Sequence, residues 1–272
     1  MEQSWDVIVV GGGAAGLMAA GTAAENGRRV MLFDKNRLPG RKVRITGKGR
    51  CNLTNRCGLE TLMENIPGNG KFLYSAFGQF SPADTIDFFE ARGLKLKTER
   101  GNRVFLASDK AADVADALAC FCRGAGVQIH LDEAVRGLML DDGQVCGVIT
   151  GKGRYAAESV IVATGGKSYP LTGSTGDGYR FAQAAGHTIV PPVPSLVPLE
   201  IREIWCHKLQ GLSLKNVILS VTQAESGKPV YEEMGEMLFT HFGVSGPLVL
   251  SASAHMKAMT PGKYQLHIDL KP

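Results

Sequence analysis

The N-terminal segment restricts most strongly what this chain can fold into. WDVIVVGGGAAGLMAAGTAAENGRRVMLFDK is typical of a strand, a glycine turn, a helix and a second strand. Trp5 to Val10 is a short apolar run rich in valine and isoleucine, as in a strand buried on both faces. We predict this strand, a helix from Ala14 to Asn26 stopped by Gly27, and a strand from Val30 to Phe33.

The predicted turn carries the spacing GxGxxG at Gly11, Gly13 and Gly16. In a dinucleotide-binding unit the first glycine permits the tight turn, the second lets the backbone approach a pyrophosphate, and the third lets the helix pack close to the strand. The helix then begins at Ala14 and Ala15, where free N–H groups and the positive end of the helix dipole favour phosphates. The sequence therefore predicts that these five residues bind a dinucleotide.

The second predicted strand ends at Asp34, which follows Gly16 by 18 residues, and Lys35 comes next. A carboxylate at this place accepts hydrogen bonds from the ribose hydroxyls of adenosine and repels a 2′-phosphate. NADP is therefore disfavoured as the resident cofactor, whereas this layout alone leaves NAD and FAD open. We assign Asp34 and Lys35 to the cofactor site.

The stretch GRKVRITGKGRCNLTN, from Gly40 to Asn55, is expected to be a long loop in place of another βαβ unit. Between Arg28 and Arg56 the sequence has ten basic residues and a single acid, Asp34. A loop of this composition can wrap an extended anionic cofactor and present N–H and guanidinium donors along it. Its candidate cofactor ligands are Arg41, Lys42, Arg50, Cys51, Asn52 and Thr54.

Residues 127–166 are predicted to form a strand, an antiparallel meander that turns at Asp142-Gly143, and a return strand. The return strand is predicted at Val160 to Ala163 and ends in Thr164-Gly165-Gly166, where a ligand can approach the backbone at the carboxyl end of a parallel strand. We assign Ala163, Thr164 and Gly165 to the cofactor site. Asp177 is predicted to cap a helix that begins near Gly178, with direct contact to the cofactor as the alternative.

Three motifs resemble those of the BaiN/YhiN-like flavoproteins, also described as aminoacetone-oxidase-family FAD-binding enzymes. They are PGRKVRITGKGRCNLTN, VIVATGGKSYPLTGSTGDG and FTHFGVSGP. The resemblance covers essentially the whole chain and implies FAD as the cofactor. It implies an α/β fold, a Rossmann-like FAD-binding domain of the glutathione-reductase type with a β meander, followed by the start of an inserted β-rich domain. It also implies that the backbone of Val135 contacts adenine, and one branch of the family is associated with reduction of bile-acid double bonds.

The proline-rich stretch VPPVPSLVPLE marks a domain boundary near residue 190. We predict an FAD-binding domain at 1–190 and part of the inserted β-rich domain at 191–272. Members of the family that the chain resembles continue past the equivalent of Pro272 and return to the FAD-binding domain, so we expect a chain truncated at its C terminus. A helix capped by Ser245, with Pro247 near its start and a stop at Pro261-Gly262, is predicted in the second domain.

The expected function is that of an FAD-dependent oxidoreductase that transfers hydride through flavin N5. NADH or NADPH is expected to bind only transiently, because the sequence contains no second complete GxGxxG with strand and helix around it. The expected substrate is a small molecule, with a C=C bond or an amine or ketone group. Reduction of a double bond also needs a proton donor, for which the candidates are Ser168, Tyr169 and His241.

Two alternatives stay open at this point: an NAD-dependent dehydrogenase built on the same N-terminal fold, and a truncated flavin-binding remnant without catalytic activity. Nucleic acid is disfavoured as a partner, because the basic loop lacks interleaved aromatic residues that stack on bases. The six cysteines form no CxxC pair, so no metal site is expected. No apolar run reaches the roughly 18 residues of a membrane span. We expect a cytoplasmic protein, whose oligomeric state the sequence leaves open.

Overall fold

The computed structural model of the protein describes residues 4–272, and by its internal contacts the chain divides into two units. The first unit comprises the described residues up to Leu62 together with Leu73–Ile189. The second comprises Met63–Phe72 and Val190–Pro272. The predicted roles of 1–190 as an FAD-binding domain and of 191–272 as an inserted domain stay predictions. None of the helices within residues 4–272 is both long and apolar enough to cross a membrane.

Helices and strands alternate in the first unit, whereas strands dominate the second. The strands are β1 (Trp5–Val10), β2 (Val30–Phe33), β3 (Thr54–Asn55), β4 (Leu96–Glu99), β5 (Arg103–Leu106), β6 (Gln128–His130), β7 (Val135–Asp141), β8 (Gln144–Thr150), β9 (Arg154–Val162), β10 (Leu199–Glu200), β11 (Ser213–Gln223), β12 (Pro229–Phe239), β13 (Gly243–Ser245) and β14 (Tyr264–Asp269). The α-helices are α1 (Ala14–Glu25), α2 (Arg41–Ile45), α3 (Leu59–Glu64), α4 (Tyr74–Gln79), α5 (Pro82–Glu90), α6 (Ala111–Gly124), α7 (Asp177–Ala184), α8 (Trp205–Lys208) and α9 (Pro247–His255).

A six-stranded sheet with the order β6-β2-β1-β9-β8-β7 forms the centre of the first unit. β1 pairs in parallel with β2 and β9, and β8 pairs antiparallel with β7 and β9. Successive side chains of a strand point to opposite faces. Val9 therefore packs in the core with α1 and α6, whereas Ile8 and Val10 pack in a second core with Phe181. The predicted strands and the meander that turns at Asp142-Gly143 are confirmed.

Helix α1 approaches β1 closely because glycine occupies the contact point. A Cβ atom on Gly16 would lie 1.8 Å from the carbonyl oxygen of Gly11, so any larger residue would push the helix away. Gly11 itself has a left-handed backbone, with φ at 110°. The helix ends at Glu25, one residue earlier than predicted, and Gly27 follows with φ at 78°. These contacts set the distance between the turn and the first helical N–H groups.

The segment from Gly40 to Asn55 differs from the long loop that the sequence predicts. Arg41–Ile45 form α2, a 3₁₀ turn covers Thr46–Gly49, and β3 begins at Thr54. Helix α2 packs against α6, and a Cβ atom on Gly40 would lie 2.7 Å from Cβ of Ala115 in α6. Local composition does not show this contact, because α6 lies about 70 residues further along the chain.

A smaller sheet with the order β3-β5-β4 lies beside this segment. Its central strand contributes Val104 and Leu106 to the core, and its turn at Arg100–Asn102 joins β4 to β5. Helix α5 precedes the sheet and begins as predicted, with Ser81 as its N-cap and Pro82 in the first helical position. Asp84 closes a reciprocal capping box with Ser81, which satisfies two backbone N–H groups at the helix start.

The second unit contains a five-stranded antiparallel sheet with the order β10-β13-β12-β11-β14. Helix α9 packs on it, with Val249 and Ala252 fully buried. The predicted cap Ser245 is wrong, because it lies in β13 and Gly246 occupies the N-cap position. Gly246 has φ at 99°, a conformation that serine rarely adopts. The predicted stop at Pro261-Gly262 is also wrong, because the chain is already extended at Met256.

Candidate cofactor site

A cavity of about 410 Å³ opens in the first unit, lined by residues at and beyond the carboxyl ends of β1, β2 and β9. Ligands of open α/β sheets bind at this end of the parallel strands. The predicted cofactor residues that line it are Gly11, Gly13, Ala14, Ala15, Asp34, Lys35, Arg41, Lys42, Val135, Ala163, Thr164, Gly165 and Asp177. The structure thus brings most of the predicted site together, and the contact of each residue with a cofactor stays a prediction.

The start of helix α1 forms one wall of the cavity. Gly13 is its N-cap residue, no side chain caps the helix, and its first turn contains no acidic residue. A Cβ atom on Gly13 would meet no atom within 4 Å, so the wall is open at that point. Ala14 and Ala15 follow along the lining. The first turn of α1 therefore offers backbone N–H groups and a positive dipole end to an anion. Gly16 does not line the cavity and acts through its close contact with Gly11.

Asp34 stands at the end of β2 and is 8% exposed. Its Oδ2 accepts a hydrogen bond of 2.6 Å from the backbone N–H of Gly12. Its Oδ1 accepts from the backbone N–H and the side-chain amide of Asn36, at 2.7 and 2.8 Å. An ionised carboxylate has about four lone-pair positions, so these three bonds leave capacity for a ribose hydroxyl. The bonds also fix the carboxylate against the glycine turn.

Basic side chains connect the segment after β2 with the loop after β9. Lys35 Nζ lies 2.7 Å from Asp177 Oδ2 and donates to Thr175 Oγ1 at 2.8 Å. Lys42 Nζ donates to the carbonyl oxygen of Ser168 at 2.8 Å. Arg41 donates to the side-chain oxygen of Asn36 at 3.1 Å. Among the described residues, neither Arg41 nor Lys42 forms an ion pair, so both retain positive charge for a phosphate.

The predicted capping role of Asp177 is wrong. Helix α7 begins at Asp177 itself, Gly176 occupies the N-cap position, and no side chain caps the helix. The carboxylate instead contacts Lys35, Thr175 and Arg180. Partial burial by itself raises the pKa of Asp177, but the hydrogen bond and charge of Lys35, with smaller contributions from Thr175 and Arg180, bring it below its usual range. Asp177 is therefore an ionised partner of Lys35 at the cavity wall.

Arg50, Cys51, Asn52 and Thr54 do not line the cavity. Arg50 forms ion pairs with Glu99 and Asp109 and stacks on the ring of Phe105, with 4.4 Å between the guanidinium carbon and the ring centroid. Cys51 is buried with φ at 56°, and burial raises the pKa of its thiol. Asn52 and Thr54 lie beside β5, and Thr54 pairs with Val104. Their predicted role in cofactor binding stays a prediction without support from this cavity.

The three candidate proton donors lie outside the lining of the cavity as well. Ser168 and Tyr169 are exposed on the loop that follows β9, and Tyr169 has φ at 53°. His241 belongs to the second unit, where it is exposed and packs edge-on against Phe242, with ring centroids 4.9 Å apart. Their predicted role in proton transfer stays a prediction.

Sequence reasoning missed Glu133, a buried acid in the cavity wall. Its Oε1 accepts from the hydroxyls of Thr150 and Tyr155, at 2.7 and 3.2 Å, and its Oε2 lies 3.1 Å from Lys152 Nζ. Burial by itself raises the pKa of Glu133, but these hydrogen bonds and the charge of Lys152 bring it below its usual range. The available signal was the acid in LDEAV, directly before the apolar start of β7.

Residues 5–260 match the family described as the HI0933-like protein Rossmann domain. The chain belongs to the HI0933-like family. The Escherichia coli protein named ribosomal RNA dihydrouridine synthase is 32% identical over 99% of this chain and 64% of its own length. The Clostridium scindens 3-dehydro-bile acid delta(4,6)-reductase is 33% identical over 97% of this chain and 64% of its own length. The predicted family resemblance is confirmed, and this HI0933-like chain spans about two thirds of the length of these relatives.

The fold of the HI0933-like chain is also found in a solved flavoprotein. The open conformation of a flavocytochrome c3 fumarate reductase is similar to this chain with a TM-score of 0.57 and 21% identity, over 79% of this chain and 47% of that chain. The predicted α/β class with a Rossmann-like domain is confirmed. Together, the family match and this likeness show that the HI0933-like chain has a Rossmann-type fold that a solved flavocytochrome shares.

Proposed function

We propose that the first unit binds FAD and that the protein is a reductase of a carbon–carbon double bond conjugated to a carbonyl group. One observation carries the cofactor part. Asp34 and the first turn of α1 face the same cavity, and a hydrogen bond of 2.6 Å from Gly12 to Asp34 couples them. An adenosine diphosphate group needs these two partners side by side, one for its ribose and one for its phosphates.

The residues present fit the adenosine diphosphate half of FAD. The diphosphate would be held by the N–H groups at the start of α1 and by Arg41 and Lys42, which carry charge without an acidic partner among the described residues. The ribose would be held by Asp34. Val135 lines the same cavity, in keeping with the backbone contact to adenine that the family resemblance implies. Bound FAD supplies hydride transfer at N5.

The reaction class rests on the names of the relatives. A delta(4,6)-reductase of a 3-dehydro-bile acid and a synthase of dihydrouridine both saturate a double bond in conjugation with a carbonyl group. Such a reduction adds a hydride to one carbon and a proton to the other. The two electrons would come from NADH or NADPH binding transiently. The chain would supply the proton from one of the predicted donors, Ser168, Tyr169 or His241.

A small molecule is the first substrate candidate, as the sequence indicates. A uridine base within RNA is the second, because relatives from Escherichia coli and Haemophilus influenzae carry the name ribosomal RNA dihydrouridine synthase. Both substrates present the same conjugated bond, so one assay can compare them. This second candidate departs from the expectation, based on the lack of aromatic residues in the basic loop, that nucleic acid is disfavoured as a partner, and the same assay tests that expectation.

The test begins with the purified chain incubated with FAD and separated from free cofactor. We expect the visible absorption bands of bound flavin, and we expect NADH or NADPH to bleach them in the absence of oxygen. The reduced protein is then mixed with a 3-dehydro-bile acid or with a uridine-containing RNA, and reoxidation is followed. Retention of NAD without flavin would favour the dehydrogenase alternative. If the flavin binds but is neither reduced by NADH or NADPH nor reoxidised by a substrate, the result would favour the alternative of a flavin-binding remnant without catalytic activity.

A further inference from the structure

The small sheet of the first unit presents three exposed arginines at one turn. Arg100 lies in the turn between β4 and β5, Arg103 begins β5, and Arg56 follows the end of β3. We name these three residues the arginine turn. None of them forms an ion pair with another residue in the described part of the chain, residues 4–272. The turn therefore exposes three positive charges without local neutralisation.

Hydrogen bonds hold the arginine turn in one shape. The backbone N–H of Arg56 donates to the carbonyl oxygen of Asn102 at 2.7 Å, and the amide of Asn55 donates to the carbonyl oxygen of Gly101 at 2.8 Å. Nε of Arg56 donates to Thr98 Oγ1 at 3.0 Å, and Nε of Arg103 donates to the carbonyl oxygen of Arg100 at 3.1 Å. The end of β3 and the turn are thus joined, and the guanidinium groups of Arg56 and Arg103 are positioned before any partner binds.

Glu99, which directly precedes the turn, and Asp109 are already neutralised. Glu99, directly opposite Arg103 in the sheet, contacts Arg50 and Lys97, and Asp109 contacts the same two cations. The hydrogen bond from Arg50 is the main cause that lowers the pKa of Glu99. Two cations and two anions therefore balance in this group of four residues. The charge of the arginine turn is left over and faces solvent.

We propose that the arginine turn binds the phosphate backbone of RNA. The inference rests on the second substrate candidate of the proposed function, uridine within RNA. Arginine is well suited to phosphates because its planar guanidinium donates two parallel hydrogen bonds. Contacts to phosphates position a nucleic acid and need no stacking on bases, so the lack of aromatic residues in the basic loop does not oppose them. The nearby segment from Thr46 to Thr54 connects the turn with the cavity wall along the chain.

Salt dependence of RNA binding tests the proposal. The probe is a fluorescein-labelled 20-nucleotide oligouridylate RNA, and binding to the full chain with FAD is measured by fluorescence anisotropy from low to moderate salt. In the triple variant R56Q/R100Q/R103Q we expect affinity at low salt to fall on the order of 10- to 100-fold. We expect the slope of log K against log salt to become less negative by about 2, because each phosphate contact on a single strand contributes about 0.7.

The matched control removes the same charge elsewhere on the first unit, as R28Q/R123Q/R154Q. These arginines are also exposed and also form no ion pair among the described residues. We expect the control variant to keep the slope of the unaltered chain. Equal slopes for the unaltered chain and the triple variant, with both folded by circular dichroism, would overturn the proposal. Loss of binding to phosphatidylserine vesicles with unchanged RNA binding would assign the turn to a lipid surface and overturn it as well.

The two proposals fail in different ways. If the chain binds FAD, accepts electrons and reduces the bile acid but ignores the RNA, the arginine turn is not an RNA surface and the reductase function stands. If the RNA binds with the expected dependence on the three arginines but no flavin is retained, the surface stands and the proposed reductase fails. The absorption spectrum and the anisotropy titration of the same preparation separate these results.

Discussion

At the scale of single residues, Asp34 joins the two halves of the candidate cofactor site. It ends β2, and its Oδ2 accepts the backbone N–H of Gly12 in the turn after β1. Its Oδ1 is held by Asn36. An asparagine at this place would direct an amide group against one of these donors and would lose the negative charge. The side chain therefore fixes the turn, and in the proposed complex the same two oxygens would accept hydrogen bonds from the ribose.

We predict that Asp34→Asn weakens FAD binding about 10- to 100-fold, because a hydrogen bond to a charged group contributes about 1.5–3 kcal/mol. ADP should lose affinity by a similar factor, since it carries the same ribose. Isothermal titration with both ligands measures the effect. Asp132→Asn is the matched control, because Asp132 is exposed and its ion pair with Arg37 is long, with 3.6 Å between Oδ2 and Nε. Unchanged ADP affinity in Asp34→Asn would show that the ribose is held elsewhere.

At the scale of elements, the approach of α1 to β1 decides whether the turn keeps its shape. The Cβ atom of an alanine at position 16 would lie 1.8 Å from the carbonyl oxygen of Gly11, a distance at which backbone must move. We predict that Gly16→Ala lowers the free energy of unfolding by about 1–3 kcal/mol, as overpacking does, and also reduces FAD retention. Urea denaturation and the ratio of flavin to protein absorbance measure the two effects.

Gly124→Ala is the control for this helix glycine. Gly124 ends α6, and a Cβ atom there would meet no atom within 4 Å. Because alanine restricts the unfolded chain more than glycine does, we expect the free energy of unfolding to stay level or to rise by up to about 1 kcal/mol. A loss at Gly124 equal to that at Gly16 would show that the contact with Gly11 is not the cause, because helix propensity favours alanine over glycine at both positions.

At the scale of the whole molecule, ionised carboxylates make stability depend on pH. The pKa is lowered for Asp6, Asp84, Glu99, Asp109, Glu133 and Asp177, chiefly by hydrogen bonds and nearby cations acting against burial. A carboxyl group whose pKa is lower in the folded state stabilises that state at pH values above its pKa in the unfolded state. That pKa is about 3.9 for aspartate and 4.3 for glutamate. This stabilisation is lost as the pH falls through the folded pKa.

We therefore predict that the free energy of unfolding is nearly constant from pH 7 to about pH 5 and falls progressively below about pH 4. Urea denaturation at several pH values measures it. Glu99→Gln should show a shallower fall, because it removes one of the carboxylates that contact Arg50. Glu158→Gln, at an exposed position without an ion pair among the described residues, should follow the unaltered chain. A fall that begins above pH 6 would point to histidine titration instead.

Local pattern was enough to predict the elements that local chemistry determines. The strands at Trp5–Val10 and Val30–Phe33 follow from apolar runs between turn residues, and the start of α5 follows from Ser81 and Pro82. The gathering of the glycine turn and Asp34 around one cavity follows as well, because parallel neighbouring strands end at the same edge of a sheet.

Residues whose partners lie far along the chain could not be predicted in this way. Arg50 lies in a basic segment whose composition predicts phosphate binding. It instead contacts Glu99 and Asp109, which follow it by 49 and 59 residues. Asp177 is a residue type that favours helix caps and stands where a cap is expected. It nevertheless forms an ion pair with Lys35, which precedes it by 142 residues. In both cases a distant charge outcompetes the local role, and no short window of sequence contains both partners.

The pair of Lys35 and Asp177 has a consequence for how a ligand enters and leaves. The ammonium group of Lys35, which contacts Asp177 across the cavity wall, is also a group that would attract a diphosphate. Binding and release of the ligand would then be an exchange of ion pairs, in which a phosphate replaces the carboxylate of Asp177 on the ammonium group of Lys35. Dissolved ions screen the attraction of this partly exposed lysine for carboxylate and phosphate alike, so we expect the ligand to dissociate faster as the ionic strength rises.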